Sequence, residues 1–269
     1  MIKSIITPVD FSTEASTALM FAAEISKRAS AKLTILHALH SHQNEVEANQ
    51  QMEQLVASVK QTFGQDLLCD SHVVLGDLLT VLNSQIGIQQ SDLIVMGTKG
   101  ASGLKKILIG SNTVKVLATI KLPTLIIPES VKFGEFIKKG KNRVVLATDL
   151  ADVTNDSVLS ILEGITALME DPKLRILNVR PKNTSLNYQQ NLVRSALVSG
   201  FKDLLETEHT TVFSNKVLDG INFYLHKNND TGLIVMIGRD SGGLFQKNFT
   251  QEMASITEYP LLVLSDHKS

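Results

Sequence analysis

Apolar residues fall in short unbroken runs, and the stretches between them carry helical spacing. Ile2 to Val9 is the first run and ends in Pro8-Val9-Asp10. Ala15 to Ala29 follows, with Ala18, Leu19, Ala22 and Ile25 on one helical face and Ser12 placed as its N-cap. Leu33 to Ala38 predicts a second strand, Glu45 to Phe63 a long polar helix, and Ser71 to Leu75 a third strand. Gly76-Asp77 turns into a helix from Leu78 to Ile88. Leu93 to Met96 predicts a fourth strand, Val114 to Ile120 a helix, and Pro123 to Pro128 a fifth strand. Strands that alternate with helices imply a parallel sheet covered on both faces.

The pattern then breaks and restarts. Residues 129–141 are charged, carry two glycines and only scattered apolar side chains, which predicts a linker. Val144 to Asp149 echoes the first strand and Asp10, and Thr154 to Met169 the first helix. Leu174 to Val179 echoes Leu33 to Ala38. Leu192 to Leu205 predicts a helix and Thr210 to Lys216 a strand. Leu233-Ile-Val-Met236 repeats Leu93-Ile-Val-Met96 letter for letter, and Tyr259 to Leu264 repeats Leu122 to Ile127. The offset drifts only from 139 residues at Asp10/Asp149 to 137 at Pro123/Pro260. This is a tandem duplication. The expected fold is α/β: two doubly wound domains, 1–128 and 142–269, each a five-stranded parallel sheet of order 3-2-1-4-5.

In that order the direction of winding reverses between the first and fourth strands, where ligands sit in open α/β sheets. Asp10 ends the first strand, and Gly97 begins the stretch after the fourth. Gly97, Gly100, Gly110 and Ser111 punctuate that stretch, with Gly103 between them and Lys99, Lys105 and Lys106 nearby. Glycine lets main-chain N–H groups come close to an anion, and the following helix presents unpaired donors. The spacing fits neither of the two best-known phosphate motifs, G-x-x-x-x-G-K-[ST] and G-x-G-x-x-G.

Pro8-Val9-Asp10-Phe11-Ser12, Leu36-His37-Ala38, the Gly76-Asp77 turn and Gly97-x2-Gly100-x9-Gly110-Ser111 occur in that order over residues 1–128. Together they resemble the universal stress protein family in its ATP-binding form. The resemblance implies that Asp10 meets the ribose or adenine side of ATP and that the main chain around Ala38 meets the adenine edge. Gly97, Gly100, Gly110, Ser111 and Asn112 would hold ribose and phosphates. Pro8 and Val9 would form a wall; some relatives have threonine at Val9, so only backbone and wall contact carry over. Mg²⁺ would accompany ATP with the phosphates as its main ligands.

The second copy differs where that chemistry lies. Ile237-Gly238-Arg-Asp240-Ser241 keeps one glycine, its loop is about three residues shorter, and no Gly-Ser pair opens the next helix. Asp240 adds a negative charge where a phosphate would come. Nucleotide is therefore expected in the first domain only.

Composition narrows the function classes. With 26 basic and 27 acidic residues, charge gives no argument for nucleic acid. No apolar run spans a membrane, and a lone Cys69 fits a reducing cytoplasm, where it reads as a packed residue. His37, His40 and His42 read as polar rim residues rather than a metal set, since His37 lies on the opposite strand face from the other two. No catalytic constellation stands out, so the expected role is a nucleotide-dependent sensor or regulator in stress response. The alternatives are a nucleotide hydrolase using the same crevice, or an interaction scaffold with a vestigial pocket. A homodimer and a regulatory protein partner are further expectations.

The last strand of each copy is apolar, begins with proline and ends its sheet. Such an edge is an aggregation hazard unless covered. Single-domain members of the family dimerise through this strand, so the resemblance implies that the two fifth strands pair within one chain and leave both crevices open. The linker, about 50 Å if extended, could reach.

Overall fold

The computed structural model describes residues 2–40, 44–98, 111–131, 141–153, 156–239 and 258–266. Its first half runs β1 (Ser4–Pro8), α1 (Thr13–Ala29), β2 (Lys32–Leu39), α2 (Glu45–Phe63), β3 (Cys69–Leu75), α3 (Leu78–Gln89), β4 (Leu93–Gly97), α4 (Ser111–Thr119) and β5 (Thr124–Ile127). The second half runs β6 (Arg143–Ala147), α5 (Asp156–Thr166), β7 (Lys173–Arg180), α6 (Tyr188–Phe201), β8 (Glu206–Phe213), α7 (Val217–Lys227), β9 (Thr231–Arg239) and β10 (Leu261–Asp266).

All ten strands form one sheet in the order β3-β2-β1-β4-β5-β10-β9-β6-β7-β8. Each half keeps 3-2-1-4-5 and parallel pairing. The single antiparallel step is β5 against β10, with Leu261 opposite Ile126, Leu262 opposite Leu125 and Val263 opposite Thr124. The two expected five-stranded sheets are thus halves of one. Leu125, Ile126, Leu261 and Leu262 are fully buried at the joint.

Packing follows from that antiparallel step, which relates the halves by a pseudo-twofold axis normal to the sheet. One face carries a single core running through both halves, with α1 and α2 from the first and α5 and α6 from the second. The other face carries two cores, one under α3 and α4 and one under α7. Ile126 and Leu117 of the first half belong to the second of these, so it too crosses the joint.

Local chemistry sets the element ends. Ser12 caps α1 by accepting from the Ala15 N–H, and Asn187 and Gln190 form a reciprocal capping box at α6. The predicted helix Leu192 to Leu205 therefore lies earlier, and the predicted strand Thr210 to Lys216 begins earlier, at Glu206. The outer strands β3 and β8 are only partly buried, and each carries charge near its start. Lys32 pairs with Asp70, Lys173 with Glu206 and Arg175 with Glu208, which blunts both free edges. Cys69 opens β3 half-buried, and burial above all pushes its thiol up to about 11, so it stays protonated at neutral pH. Among the described residues, no helix is long and apolar enough to cross a membrane.

Candidate functional site

β1 stops at Pro8 while β2 runs on to Leu39, and this mismatch opens the site. Leu36 is the last residue of β2 opposite β1, and its carbonyl accepts from the Val9 N–H at 2.8 Å. Peptide groups alternate sides along a strand, so the main chain of Ala38 also faces the β1 side, past the end of that strand. β3 covers only the other side, with Val74 opposite Ala38.

Asp10 follows β1 and is exposed. Its Oδ1 accepts from the Ser12 N–H at 3.1 Å and from the Ser12 hydroxyl. Ser12 in turn accepts from the Ala15 N–H at 3.2 Å. Asp10 therefore braces the residue that caps α1 rather than capping it directly, and its Oδ2 takes no bond from the described residues. Between them, Phe11 is held at φ 62°, in the left-handed region that non-glycine residues seldom occupy. Leu150, the equivalent residue of the second half, has φ 59°. Both copies thus keep the strained turn that swings the aspartate out of the strand.

His37 corrects the reading of it as a polar rim residue. It is 4% exposed, and its Nδ1 lies 2.9 Å from the Val9 carbonyl. A carbonyl only accepts, so Nδ1 carries the proton. The ring lies against Phe11 with centroids 4.5 Å apart. In the second half, Asn178 Nδ2 donates to the Thr148 carbonyl at 3.0 Å in the same place. His37 and Asn178 are one device: a side-chain N–H that ties the second strand to the backbone just before the aspartate. His37→Asn should therefore keep the thermal midpoint close to wild type, and His37→Leu should cost about 1–3 kcal/mol by orphaning the carbonyl. Equal midpoints for the two variants in calorimetric scans would remove this role.

Across the crevice, Gly97 ends β4 and Ser111 begins α4. Thr113 donates its hydroxyl to the Gly97 carbonyl at 3.0 Å, clamping the helix to the strand. A Cβ on Gly97 would stand 2.7 Å from the Glu14 carbonyl oxygen. The close approach of α1 is thus what demands glycine at this position. Ser111 and Asn112, both exposed, present the first turn of α4, whose N–H groups have no partners within the helix.

These pieces enclose one cavity of about 310 Å³. Pro8, Val9 and His37 line its base; Asp10, Ser12 and Glu14 its α1 side; Gly97, Thr98, Ser111 and Asn112 its α4 side. Ala38 and His40 belong to its β2 side, with Leu78 and Met96 as apolar wall. Of the nine residues the sequence singles out, Pro8, Val9, Asp10, Ala38, Gly97, Ser111 and Asn112 meet here. Gly100 and Gly110 lie outside the described residues, as do Lys99, Gly103, Lys105, Lys106 and His42. The sequence reading did not single out Glu14 and Thr98, and took His40 only as a polar rim residue. Among the described residues, no cluster of His, Cys, Asp and Glu could hold a metal ion.

The sequence profile of the Universal stress protein family matches residues 1–128. Residues 1–128, a little under half of the chain, thus match a universal stress protein domain. Among solved structures, a universal stress protein from Archaeoglobus fulgidus DSM 4304 matches at 18% identity and a TM-score of 0.73, covering 98% of each chain. A structure from Pseudomonas aeruginosa UCBPP-PA14, assigned to the same family, matches at 16% identity and a TM-score of 0.68, covering 98% of this chain and 93% of that one. At such identities the likeness speaks for the fold, here over both halves. No curated protein matches the chain.

The second crevice is built differently. Asp149 is 7% exposed, and Gln190 of α6 donates to its carbonyl at 3.1 Å. Gln189 reaches Asp152 at 2.8 Å beside it. The expectation of two open crevices is therefore not met at Asp149. Asp240 and Ser241 lie outside the described residues.

Proposed function

We propose that the first-half cavity binds ATP or a related adenine nucleotide and that the protein acts in stress response as a nucleotide-dependent regulator. The observation that carries this reading is the meeting of Asp10, Ala38, Gly97 and the α4 N-terminus around one cavity at the switch between β1 and β4. Each wall suits one part of the ligand. The main chain of Ala38 offers a donor and an acceptor to the adenine edge, in the manner of a further strand. The carboxylate of Asp10 accepts from ribose hydroxyls. The first turn of α4 offers N–H groups to phosphate, and its partial positive charge favours an anion. Gly100 and Gly110, with the lysines between them, would complete the phosphate side. With no metal cluster among the described residues, any Mg²⁺ would be held chiefly by the phosphates.

Intact-mass measurement under native conditions, on protein purified without added nucleotide, tests the reading. An adduct with the mass of an adenine nucleotide is the expected result. Incubation with ATP and Mg²⁺ followed by product chromatography should return ATP largely unchanged. Rapid multiple turnover would replace the regulator by a hydrolase. Protein that neither carries nor takes up a nucleotide would overturn both.

A further inference from the structure

A second cavity, of about 370 Å³, lies between α6 and β8 at the outer edge of the second half. Seven strand steps separate β8 from β1, which puts it roughly 30 Å from the nucleotide cavity. Its lining is Arg194, Ser195, Val198, Ser199 and Lys202 from α6, and His209 from β8. Arg194, Val198 and Lys202 recur every fourth residue and so form one stripe of the helix. His209 stands opposite Ile176 in the sheet, and Ile176 packs in the core that includes Val193, Leu197 and Phe201 of α6. His209 therefore faces α6 and its stripe.

The charge around this cavity is one-sided. Tyr188–Phe201 contains no acidic residue. Glu206 and Glu208 of β8 are engaged by Lys173 and Arg175. Asp203, exposed beside Lys202, is the acidic group nearest in sequence. Arg180, two positions beyond Asn178 on the same face of β7, lies over the Phe213 ring at 5.3 Å. Its Nε and Nη1, and the Nε2 of His209, are buried with no hydrogen-bond partner. Burial first, then Arg194, Arg180 and Arg175, push the His209 imidazole below its ordinary range. Arg180 lies beyond the cavity's lining, but His209 belongs to it; a buried donor without an acceptor is costly, and an anion there removes that cost.

We infer that the cavity between α6 and β8 binds a phosphate dianion, with Arg194, Lys202 and His209 as its cationic and hydrogen-bonding side chains. The guanidinium of Arg194 can take two oxygens at once, while Lys202 supplies a point charge from the rim. The imidazole of His209 supplies a donor from the sheet. No helix N-terminus takes part, so recognition rests on side chains that can be replaced singly. The same chemistry could belong to free phosphate or to the phosphate of a small monoester.

The experiment is an NMR titration of the full chain with sodium phosphate at constant ionic strength and pH 7, following the His209 imidazole. ATP is present throughout, so that the other cavity does not compete. A saturable shift of His209 is expected, with affinity about tenfold weaker in Lys202→Gln and again in Arg194→Gln. Lys202 is exposed and Arg194 partly so, and an unchanged amide spectrum will certify each fold. Glycerol 2-phosphate is the second probe. Tighter binding than phosphate assigns the site to a monoester; equal or weaker binding assigns it to free phosphate. Absence of a saturable shift with either probe, or equal affinity in the two variants and wild type, would overturn the inference. ATP-free controls give the same answer if the first cavity proves not to bind nucleotide.

Discussion

Leu125→Glu is expected to abolish the cooperative folded state of the whole chain. Leu125 is fully buried, opposite Val95 of β4 on one side and Leu262 of β10 on the other. Its side chain sits in the core that runs through both halves. An ionised carboxylate there has no partner, and its penalty of several kcal/mol is comparable with the whole stability of a domain, about 5–15 kcal/mol. β5 and β10 also make the strand pairing between the halves, so a chain that escapes unfolding should come apart there. Ile127→Glu, on the same face, should behave alike. Leu125→Val should cost only about 1 kcal/mol and serves as the control. Thermal unfolding followed by circular dichroism, with sedimentation for shape, reads the outcome. A Leu125→Glu midpoint within a few degrees of wild type would contradict the buried antiparallel joint.

Gly110→Val and Gly100→Asp are expected to weaken ATP binding by more than about a hundredfold while leaving the fold intact. Gly110 immediately precedes Ser111, which begins α4 and lines the cavity. A β-branched side chain there keeps phosphate away from the helix amides, and an aspartate at 100 sets like charge against it. Loss of two charge-assisted hydrogen bonds, at about 1.5–3 kcal/mol each, accounts for that factor. Gly97 would be a poor choice for this test, because its substitution strikes the Glu14 backbone and would confuse binding with stability. Equal ATP affinity in both variants and wild type, by fluorescence titration, would remove the loop from the phosphate site.

Much of the architecture was legible because a buried parallel strand announces itself as an apolar run. Leu93–Met96 and Leu233–Met236 needed no structure to be matched, and both halves share one strand order. The outer strand β8 was less legible. As an outer strand it is only partly buried, and Glu206 and Glu208 on one face pair with Lys173 and Arg175 of β7. Its pattern therefore faded at Glu206, and the strand was expected four residues late. The start of α6 did carry a signal, Asn187 followed three residues on by Gln190, but the apolar stripe beginning at Leu192 outweighed it.

At the site, residue types were legible and roles were not. Asp10 stood out at a strand end, and Ala38 came with the family resemblance. That Asp10 braces Ser12 depends on the left-handed turn at Phe11, and a phenylalanine gives no hint of positive φ. The part played by His37 was readable only by setting it against Asn178 in the repeat and asking what the two share, an N–H donor. Gly97 shows the reverse difficulty. A glycine before a helix suggests an anion, yet here the neighbouring α1 requires it.

Isothermal titration of the full chain with ATP tests the central claim most directly. The account predicts one ATP per chain, abolished by Gly110→Val. Two equivalent ATP molecules per chain, or one that survives Gly110→Val unchanged, would contradict it.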